Sequence, residues 1–464
     1  MSNDRNKVIK SIERYFDDGE FIKDLNLLIE AKTESQIDNS LQGLHNYFLD
    51  HLVPSLNRYD FETEISDNPN PKAGPILIAK RIEDKDLPTV LIYGHADVVV
   101  GQEDKWEKGL DPWKLTIRGN KIFGRGTADN KGQHWIIISC LQHILKEKRN
   151  LGFNCKILIE SDEEMGSRGL HDFCTSRSHD LSADVLIASD GPRVDPDQAT
   201  IVLGSRGLIN FEMSLNLRKG SHHSGNWGGL ISDPCIILSN AISSIVDQRG
   251  QINIPSWKPN SLNNEIKSII KKLKISGGSN SPPIDKNWGE KDLSPEERVF
   301  GWISFSVLAM ELGDIERTQN AIAPSARAIC QLRYVVGTNA DEVLPSLKKH
   351  LIENGYKDIE VKPSRMSSMK ATRLDHNDYW AKLTNYSIQK TLGKPAAVVP
   401  NIGGSIPNEV FMDTLNLSTI WIPHSYTGCS QHAPNEHMLT SIAKEGLQIT
   451  AGLFWDIGND LPNN

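Results

Sequence analysis

Three short apolar runs, each ending in polar residues, constrain the fold of this chain most strongly. They are PTVLIYGH (88–95), CKILIESD (155–162) and ADVLIASD (183–190). A continuous apolar run of this length is typical of a strand that is covered on both faces, as in a parallel sheet. Between the first two runs, residues 130–147 form a predicted helix. The alternation of strand and helix predicts an α/β layer.

The pattern changes near residue 205. GLINFEMSLNL (207–217) and ARAICQLRYVV (326–336) alternate like strands with one solvated face, and a further strand is predicted at 358–364. After about residue 370 the α/β pattern returns, with predicted strands at 396–400 and 418–423 and predicted helices at 376–392 and 436–453.

A chain of 464 residues exceeds what one hydrophobic core usually supports, so two domains are expected. We predict an α/β domain with a mixed, mostly parallel sheet, formed by residues 1–205 together with 369–464. An α+β domain at 206–368 would interrupt it.

Charge and apolar content exclude several classes of partner. The net charge is −8 and no Lys/Arg-rich run occurs, so a nucleic-acid partner is not expected. No stretch reaches the roughly 18 uninterrupted apolar residues of a membrane span, and the charged N-terminus lacks the apolar region of a signal peptide. The six scattered cysteines include no CxxC pair, which predicts reduced thiols and a cytoplasmic location.

Histidine and carboxylate residues gather at the predicted strand ends and in turns rich in Gly or Pro. They are His95, Asp97, Asp129, Glu163, Glu164, Asp190 and His432. Because ligands of open α/β sheets collect at the carboxyl ends of strands, we expect one cleft to gather these side chains. Imidazole and carboxylate without thiolate suit a zinc-like dication with open coordination positions. The sequence therefore predicts a metal-dependent hydrolase.

Each of these residues alone has a simpler interpretation. A single His at a strand end, such as His95, is more often a hydrogen-bonded structural residue. Asp190 precedes a glycine and could simply form a turn. The Glu163–Glu164 pair could be solvated surface charge, but it follows an apolar run, so at least one carboxylate should lie near the sheet. The prediction depends on the whole set.

Five segments resemble the ordered motifs of a known enzyme family. GHADVV (94–99), GRGTADNKG (124–132), ESDEEMGS (160–167), SDGP (189–192) and HAPNE (432–436) are similar to motifs of the two-zinc peptidases that include carnosinase, aminoacylase and glutamate carboxypeptidase. The motifs occur in the family's order and span most of the chain. The resemblance implies an α/β/α catalytic domain interrupted by an inserted α+β lid and dimerisation domain.

The same resemblance implies a site for two divalent metal ions. His95, Asp129 and Asp190 would bind one ion, whereas Asp129, Glu164 and His432 would bind the other, so that Asp129 bridges them. Zinc is the expected metal, with manganese or cobalt as alternatives. Two neighbouring cations can share a water and lower its pKa.

Two further carboxylates would support the reaction. Glu163 would be the general base that takes the proton of the water and passes it to the leaving amine. Asp97 would orient the imidazole of His95 from behind. The family also implies a cis peptide bond after Asp129.

The loop KGSHHSGNWGG (219–229) alone predicts only an exposed loop, but it resembles the lid loop of carnosinase-type dipeptidases. The matching histidine is His223 rather than His222. In the family this imidazole stabilises the oxyanion from the partner subunit, which implies a homodimer.

Four more positions match residues that hold the substrate in this family. Arg333 would contact the substrate carboxylate as a bidentate guanidinium, although an ordinary strand arginine is equally compatible with the sequence. Ser405 and Gly404 lie in the turn GGSIP (403–407), whose backbone could donate to a carboxylate. Asn320 stands where the family typically has Thr.

The lid loop lacks the Gly-His-x-x-x-Pro pattern of aminoacylases and desuccinylases, which favours a metal-dependent dipeptidase acting on dipeptides or short peptides. The alternative hydrolase is an N-acyl amino acid deacylase of the desuccinylase or aminoacylase type.

A non-catalytic homologue would usually have lost a ligand or the base, and all of these positions are intact. A serine hydrolase is disfavoured because the chain contains no G-x-S-x-G motif.

Overall fold

The computed structural model of the chain describes residues 2–275, 282–364 and 368–459. The helices are α1 (Ser2–Asp17), α2 (Glu20–Glu30), α3 (Leu41–Tyr47), α4 (Val53–Asn57), α5 (Lys131–Lys148), α6 (Leu170–Ser176), α7 (Ser178–Leu181), α8 (Ser224–Trp227), α9 (Pro234–Ile245), α10 (Asn264–Ile270), α11 (Pro295–Phe300), α12 (Val343–Glu353), α13 (Tyr379–Leu392) and α14 (Thr440–Asn459). Short 3-10 or π-helical turns lie at Phe48–Leu52, Glu103–Lys105, Glu163–Met165, Pro255–Trp257, Ala340–Glu342 and Val410–Thr414.

The strands form one large sheet and several small ones. They are β1 (Glu62–Ser66), β2 (Ile76–Arg81), β3 (Thr89–His95), β4 (Thr116–Arg118), β5 (Lys121–Phe123), β6 (Asn154–Glu160), β7 (Val185–Ala188), β8 (Pro192–Arg193), β9 (Thr200–Val202), β10 (Gly207–Asn216), β11 (His222–His223), β12 (Ser304–Glu311), β13 (Ala321–Ile322), β14 (Ser325–Tyr334), β15 (Glu360–Pro363), β16 (Ala397–Val399), β17 (Ser418–Trp421), β18 (Ser425–Tyr426) and β19 (His437–Leu439).

The eight-stranded sheet has the order β1-β2-β6-β3-β7-β17-β9-β16. Strands β6, β3, β7 and β17 are parallel to one another, whereas β1 and β2 add antiparallel pairs at one edge. The three apolar runs of the sequence are thus neighbouring parallel strands, as predicted, and the α/β fold class is confirmed.

The central strands are apolar throughout because helices cover both faces of this sheet. Val90 and Ile92 of β3 belong to a buried cluster with residues of α1, α2, α5 and α14. Leu91 and Tyr93, which point the other way, pack in a second cluster with residues of α6. This alternation within one strand explains why the run shows no polar face.

A second, antiparallel sheet has the order β12-β14-β10-β15. Its apolar face packs against α9 and α12, for example through Phe211, Leu238 and Leu347. All four strands lie between residues 207 and 363, and the strands of the large sheet lie outside that range. The division into residues 1–205 with 369–464, and 206–368, remains a prediction.

The structure differs from the sequence-based expectation in two places. The helix predicted at 436–453 begins only at Thr440, because residues His437–Leu439 form β19 and pair with β5. Strand β12 was not predicted, since most of its residues are exposed and carry no clear alternation.

Candidate metal centre

The parallel strands bring the predicted ligands to one edge of the large sheet. Strand β3 ends at His95, and the neighbouring strand β6 leads into the turn Glu163–Met165. Asp190 follows two residues after β7 on the other side of β3. Since parallel strands end at the same edge, these side chains converge there.

Among the described residues, two groups of histidine and carboxylate side chains are close enough to hold a metal ion. The first consists of His95, Asp129 and Asp190, and the second of Asp129, Glu164 and His432. The ligand atoms within each group lie within 4.8 Å of one another. These are the two sets that the family resemblance implied, with Asp129 in both.

Asp129 lies between the two imidazoles. Its Oδ1 is 2.9 Å from His95 Nε2, and its Oδ2 is 3.0 Å from His432 Nε2. Asp190 Oδ2 is 3.6 Å from the first imidazole, and Glu164 Oε2 is 3.1 Å from the second. One carboxylate therefore presents an oxygen to each group.

The chemistry of these groups fits divalent cations. Burial and the charge of Asp129 together raise the pKa of Glu164 to about 7, against the opposing effect of His432. The buried Oε1 of Glu164 has no hydrogen-bond partner. Burial also opposes ionisation of Asp129, but hydrogen bonds from His432 and His95 lower its pKa overall. Nitrogen and oxygen donors crowded in this way, with one oxygen still unpaired, suit a borderline or hard dication.

Glu163 lies beside the two groups without belonging to either. Its Oε2 is 4.0 Å from His95 Nε2, and the residue lines the adjoining cavity. Burial raises the pKa of Glu163 well above its usual value; the charge of His95 opposes this shift, and that of Asp190 adds to it. A carboxyl that accepts a proton readily at this position is suited to general-base chemistry.

Asp97 connects two of the loops that carry ligands. Its carboxylate accepts the backbone N–H groups of Glu163 and Glu164, each at 3.1 Å, and the hydroxyl of Ser35 at 2.7 Å. The nearer partner of His95 Nδ1 is the backbone carbonyl of Asp97, at 3.0 Å, rather than its carboxylate oxygen, at 3.4 Å. The carboxylate therefore fixes the Glu163–Glu164 turn at least as directly as it orients the imidazole.

Two buried amides that the sequence reasoning missed hold the ligand strands together. Asn130 Oδ1 accepts the N–H of His95 at 3.3 Å, and its Nδ2 donates to the carbonyl of Ser189 at 2.7 Å. Gln133 donates to the carbonyl of Ala128 at 2.7 Å and accepts the Ser189 hydroxyl at 2.8 Å. Asn130 lies in the motif 124–132 and Gln133 follows it directly, which is the only sequence signal for them. The Asp129–Asn130 peptide bond is cis, as the resemblance implied.

Glu436, also without a predicted role, is buried behind the loop that carries Asp129. Its Oε1 accepts the N–H groups of Gly126 and Ala128 at 3.0 and 2.9 Å. Its Oε2 forms an ion pair with Arg125 at 2.7 Å.

A cavity of about 480 Å³ opens next to the two groups. Asp129, Glu163 and Asp190 line it, and so do three of the predicted substrate residues, Arg333, Gly404 and Ser405. Arg333 Nη1 donates to Ser405 Oγ at 3.0 Å. Strand β14 and the 403–407 turn thus place a cation and a hydroxyl together in the cavity that contains the predicted ligands.

The other two predicted residues, His223 and Asn320, lie together but do not line this cavity. Strand β11, which contains His223, pairs with β13, and the N–H of Ser224 donates to the carbonyl of Asn320 at 2.9 Å. Both residues are exposed.

The model of peptidase family M20/M25/M40 matches residues 91–456, a range that includes all five predicted ligands. The chain belongs to this family. Membership of the family confirms the predictions of a metallopeptidase and of divalent metal ions. Within the described residues, none of the helices of this M20 peptidase combines the length and apolar character needed to cross a membrane.

Several characterised proteins are similar to this M20 peptidase. The Beta-Ala-His dipeptidase of Mus musculus is 34% identical over 39% of this chain and 37% of its own length. The Cysteinylglycine-S-conjugate dipeptidase of Corynebacterium striatum is 26% identical over 69% of this chain and 70% of its own. The structure of the dipeptidase Dug1p from Saccharomyces cerevisiae has a TM-score of 0.81 at 20% identity and covers 100% of both chains. The predicted resemblance to the carnosinase type is confirmed.

Proposed function

We propose that this M20 peptidase is a dipeptidase that uses two divalent cations, with zinc preferred over manganese or cobalt. The observation that carries the proposal is the arrangement of one cavity. Two ligand groups that share Asp129 adjoin it, and Arg333 and Ser405 also line it. The mouse and C. striatum relatives are named as dipeptidases, which supports the same conclusion.

His95, Asp129 and Asp190 would hold one cation, and Asp129, Glu164 and His432 the other. When bound, the cations would act as Lewis acids that polarise the scissile carbonyl and lower the pKa of the attacking water. Water attacks the scissile carbonyl as a carboxylate oxygen of Glu163 takes one of its protons. The same oxygen then returns the proton to the amine nitrogen as the C–N bond breaks, so that an acid and an amine are released and Glu163 is regenerated.

The cationic end of the cavity would select substrates with a free carboxylate. The guanidinium of Arg333 is held by Ser405 Oγ and by Gln331 Oε1, the latter at 3.2 Å, so its position is fixed before a substrate binds. Guanidinium and hydroxyl donors suit a carboxylate. A cavity of about 480 Å³ fits a short peptide whose C-terminus lies close to the scissile bond.

We further propose a homodimer formed through residues 206–368, in which His223 and Asn320 reach the cavity of the partner. These two residues are exposed and outside the cavity of their own chain. Strand β12 is an edge strand with exposed Val307, Leu308 and Met310. An unpaired edge with apolar side chains is an unfavourable surface for a monomer, whereas a subunit interface would cover it.

We also propose that the protein is cytoplasmic. All six cysteines are free, and Cys235 is the only one that is not buried. Free thiols are compatible with a reducing compartment.

A substrate panel tests the proposed function. Dipeptides, N-acetyl amino acids and N-succinyl amino acids are assayed with the enzyme loaded with Zn²⁺, Mn²⁺ or Co²⁺, and again after chelation. We expect hydrolysis of dipeptides, loss of activity on chelation, and recovery when metal is restored. Preference for the acylated substrates would indicate a deacylase instead, and turnover that survives complete metal removal would contradict metal-dependent hydrolysis.

A further inference from the structure

Two apolar side chains cover the stretch of cavity wall between the metal ligands and the proposed carboxylate site. Ile402 packs so closely on Gly191, the neighbour of Asp190, that a Cβ atom there would lie 2.4 Å from its Cδ1. Val299 packs on Gly403 in the same way, with a corresponding distance of 2.8 Å to its Cγ1. The wall is therefore apolar at both ends of this stretch.

The rest of this wall is apolar and well packed. Val194, Phe300 and Ile406 line the cavity and belong to the same buried cluster as Ile402. At most 9% of the surface of any of the four is exposed, so the wall is part of the core rather than a set of mobile surface side chains. Such a wall keeps its shape when a ligand binds.

The charged residues that line the cavity all have other assignments. Those at the metal end are Asp129, Glu163, Asp190 and His432, and Arg333 belongs to the proposed carboxylate site. Arg193, the remaining one, forms an ion pair with Glu445 at 2.7 Å and donates to the carbonyl of Pro423 at 3.2 Å, whereas its buried Nη2 has no hydrogen-bond partner. Among the described lining residues, every charged side chain thus has either an ion-pair partner or an assigned role, and burying an ionised substrate side chain without a partner of its own is costly.

We propose that the enzyme prefers dipeptides whose C-terminal residue has an apolar side chain, such as Leu, Met or Phe. The inference rests on the proposed dipeptidase function. In a dipeptide bound with its carboxylate at Arg333 and Ser405, the C-terminal side chain is the only one between the scissile nitrogen and that carboxylate. It must therefore contact the wall formed by Val299 and Ile402.

Two dipeptides of identical composition isolate this contact. Gly-Leu places leucine against the wall, whereas Leu-Gly places it on the other side of the scissile bond. We expect kcat/KM for Gly-Leu to exceed that for Leu-Gly by roughly tenfold or more, because several methylene groups leave water at the wall. Gly-Asp and Gly-Lys should be cleaved more slowly than Gly-Leu by at least a similar factor.

Each result decides the question. Equal or faster cleavage of Leu-Gly, or faster cleavage of Gly-Asp or Gly-Lys, would overturn the inference while leaving the dipeptidase function intact. If the metal-loaded enzyme cleaves none of the four but cleaves acylated amino acids, the proposed function fails, and the inference fails with it.

Substitution of the wall provides an independent test. Val299→Asp should reverse the preference from Gly-Leu to Gly-Lys, changing the ratio of their kcat/KM values by at least tenfold. Val398→Asp is a matched control, because Val398 is also half-buried but lines a separate cavity next to Arg373. The control should keep the preference for Gly-Leu. An unchanged ratio in folded Val299→Asp would contradict the inference, and if this variant does not fold, the Gly-Leu and Leu-Gly comparison still decides.

Discussion

The Oε1 atom of Glu436 accepts the backbone N–H of Asp129 at 3.1 Å, although 307 residues separate the two in sequence. The same oxygen accepts the N–H groups of Gly126 and Ala128, so one carboxylate determines the path of the loop that presents Asp129. Because Glu436 lies four residues after His432, it also fixes the loop that carries the second imidazole.

Glu436→Gln should weaken metal binding. The amide nitrogen of glutamine would face either Arg125 or the backbone N–H groups of the loop. In either case two hydrogen-bond donors would face each other and one acceptor would be lost. We expect roughly 10–100-fold weaker binding of Zn²⁺, as for other residues that support metal ligands. Titration of the metal-free protein in competition with a chromogenic chelator measures this directly.

Asp456→Asn is the matched control for this prediction. Asp456 is another fully buried carboxylate, paired with Arg5 at 2.8 Å and with Lys390 at 2.9 Å, but its partners lie in helices away from the ligands. This variant should unfold at a lower temperature while its affinity for Zn²⁺ stays unchanged. If both variants lose affinity equally, the effect of Glu436 is general destabilisation.

Glu163→Gln should abolish most activity and keep the metal. Glutamine cannot take a proton, and Glu163 belongs to neither ligand group, so we expect kcat to fall roughly 10²–10⁴-fold. Metal content by mass spectrometry and single-turnover hydrolysis of a dipeptide are the measurements. Unchanged turnover would mean that another group is the base, whereas loss of metal would mean that Glu163 is a ligand.

Three of the residues that could be predicted from sequence share one property, which is that they follow a continuous apolar run. His95, Glu163 and Asp190 stand at the ends of apolar runs, so the pattern that predicts the strands also predicts where the side chains converge. Asp129 and His432 stand in turns rich in Gly or Pro, which made them candidates, but only the family motifs implied how the ligands divide between two ions.

Asn130, Gln133 and Glu436 could not be assigned roles because each is held in place by hydrogen bonds to at least one segment that is distant in sequence. Such hydrogen bonds leave no periodic signal in the sequence. Strand β19 was predicted as helix for a related reason, since its conformation is decided by pairing with β5, more than three hundred residues earlier, rather than by local preference.

Arg333→Lys should reduce recognition of the substrate carboxylate. Lysine keeps the charge but loses the planar fork that Ser405 and Gln331 orient. We expect KM for a dipeptide to rise roughly tenfold or more, with little change for the corresponding dipeptide amide. Arg327→Lys on the same strand is the control, because Arg327 is exposed and pairs with Glu311 on the surface. Equal effects on the acid and the amide would show that Arg333 does not bind the carboxylate.

Mixing two inactive variants tests whether His223 acts across the dimer. In a heterodimer of His223→Ala and Glu163→Gln, the metal centre of the first chain would receive an intact His223 from the second. Random assembly of equal amounts should therefore restore about a quarter of wild-type activity, since half of the dimers contain one complete site. A mixture of Glu163→Gln and Glu164→Ala is the control. Each of these changes inactivates the metal centre of its own chain, so no dimer in the mixture has a complete site. If the His223→Ala mixture shows only the average activity of its parents, His223 does not complete the site of the partner.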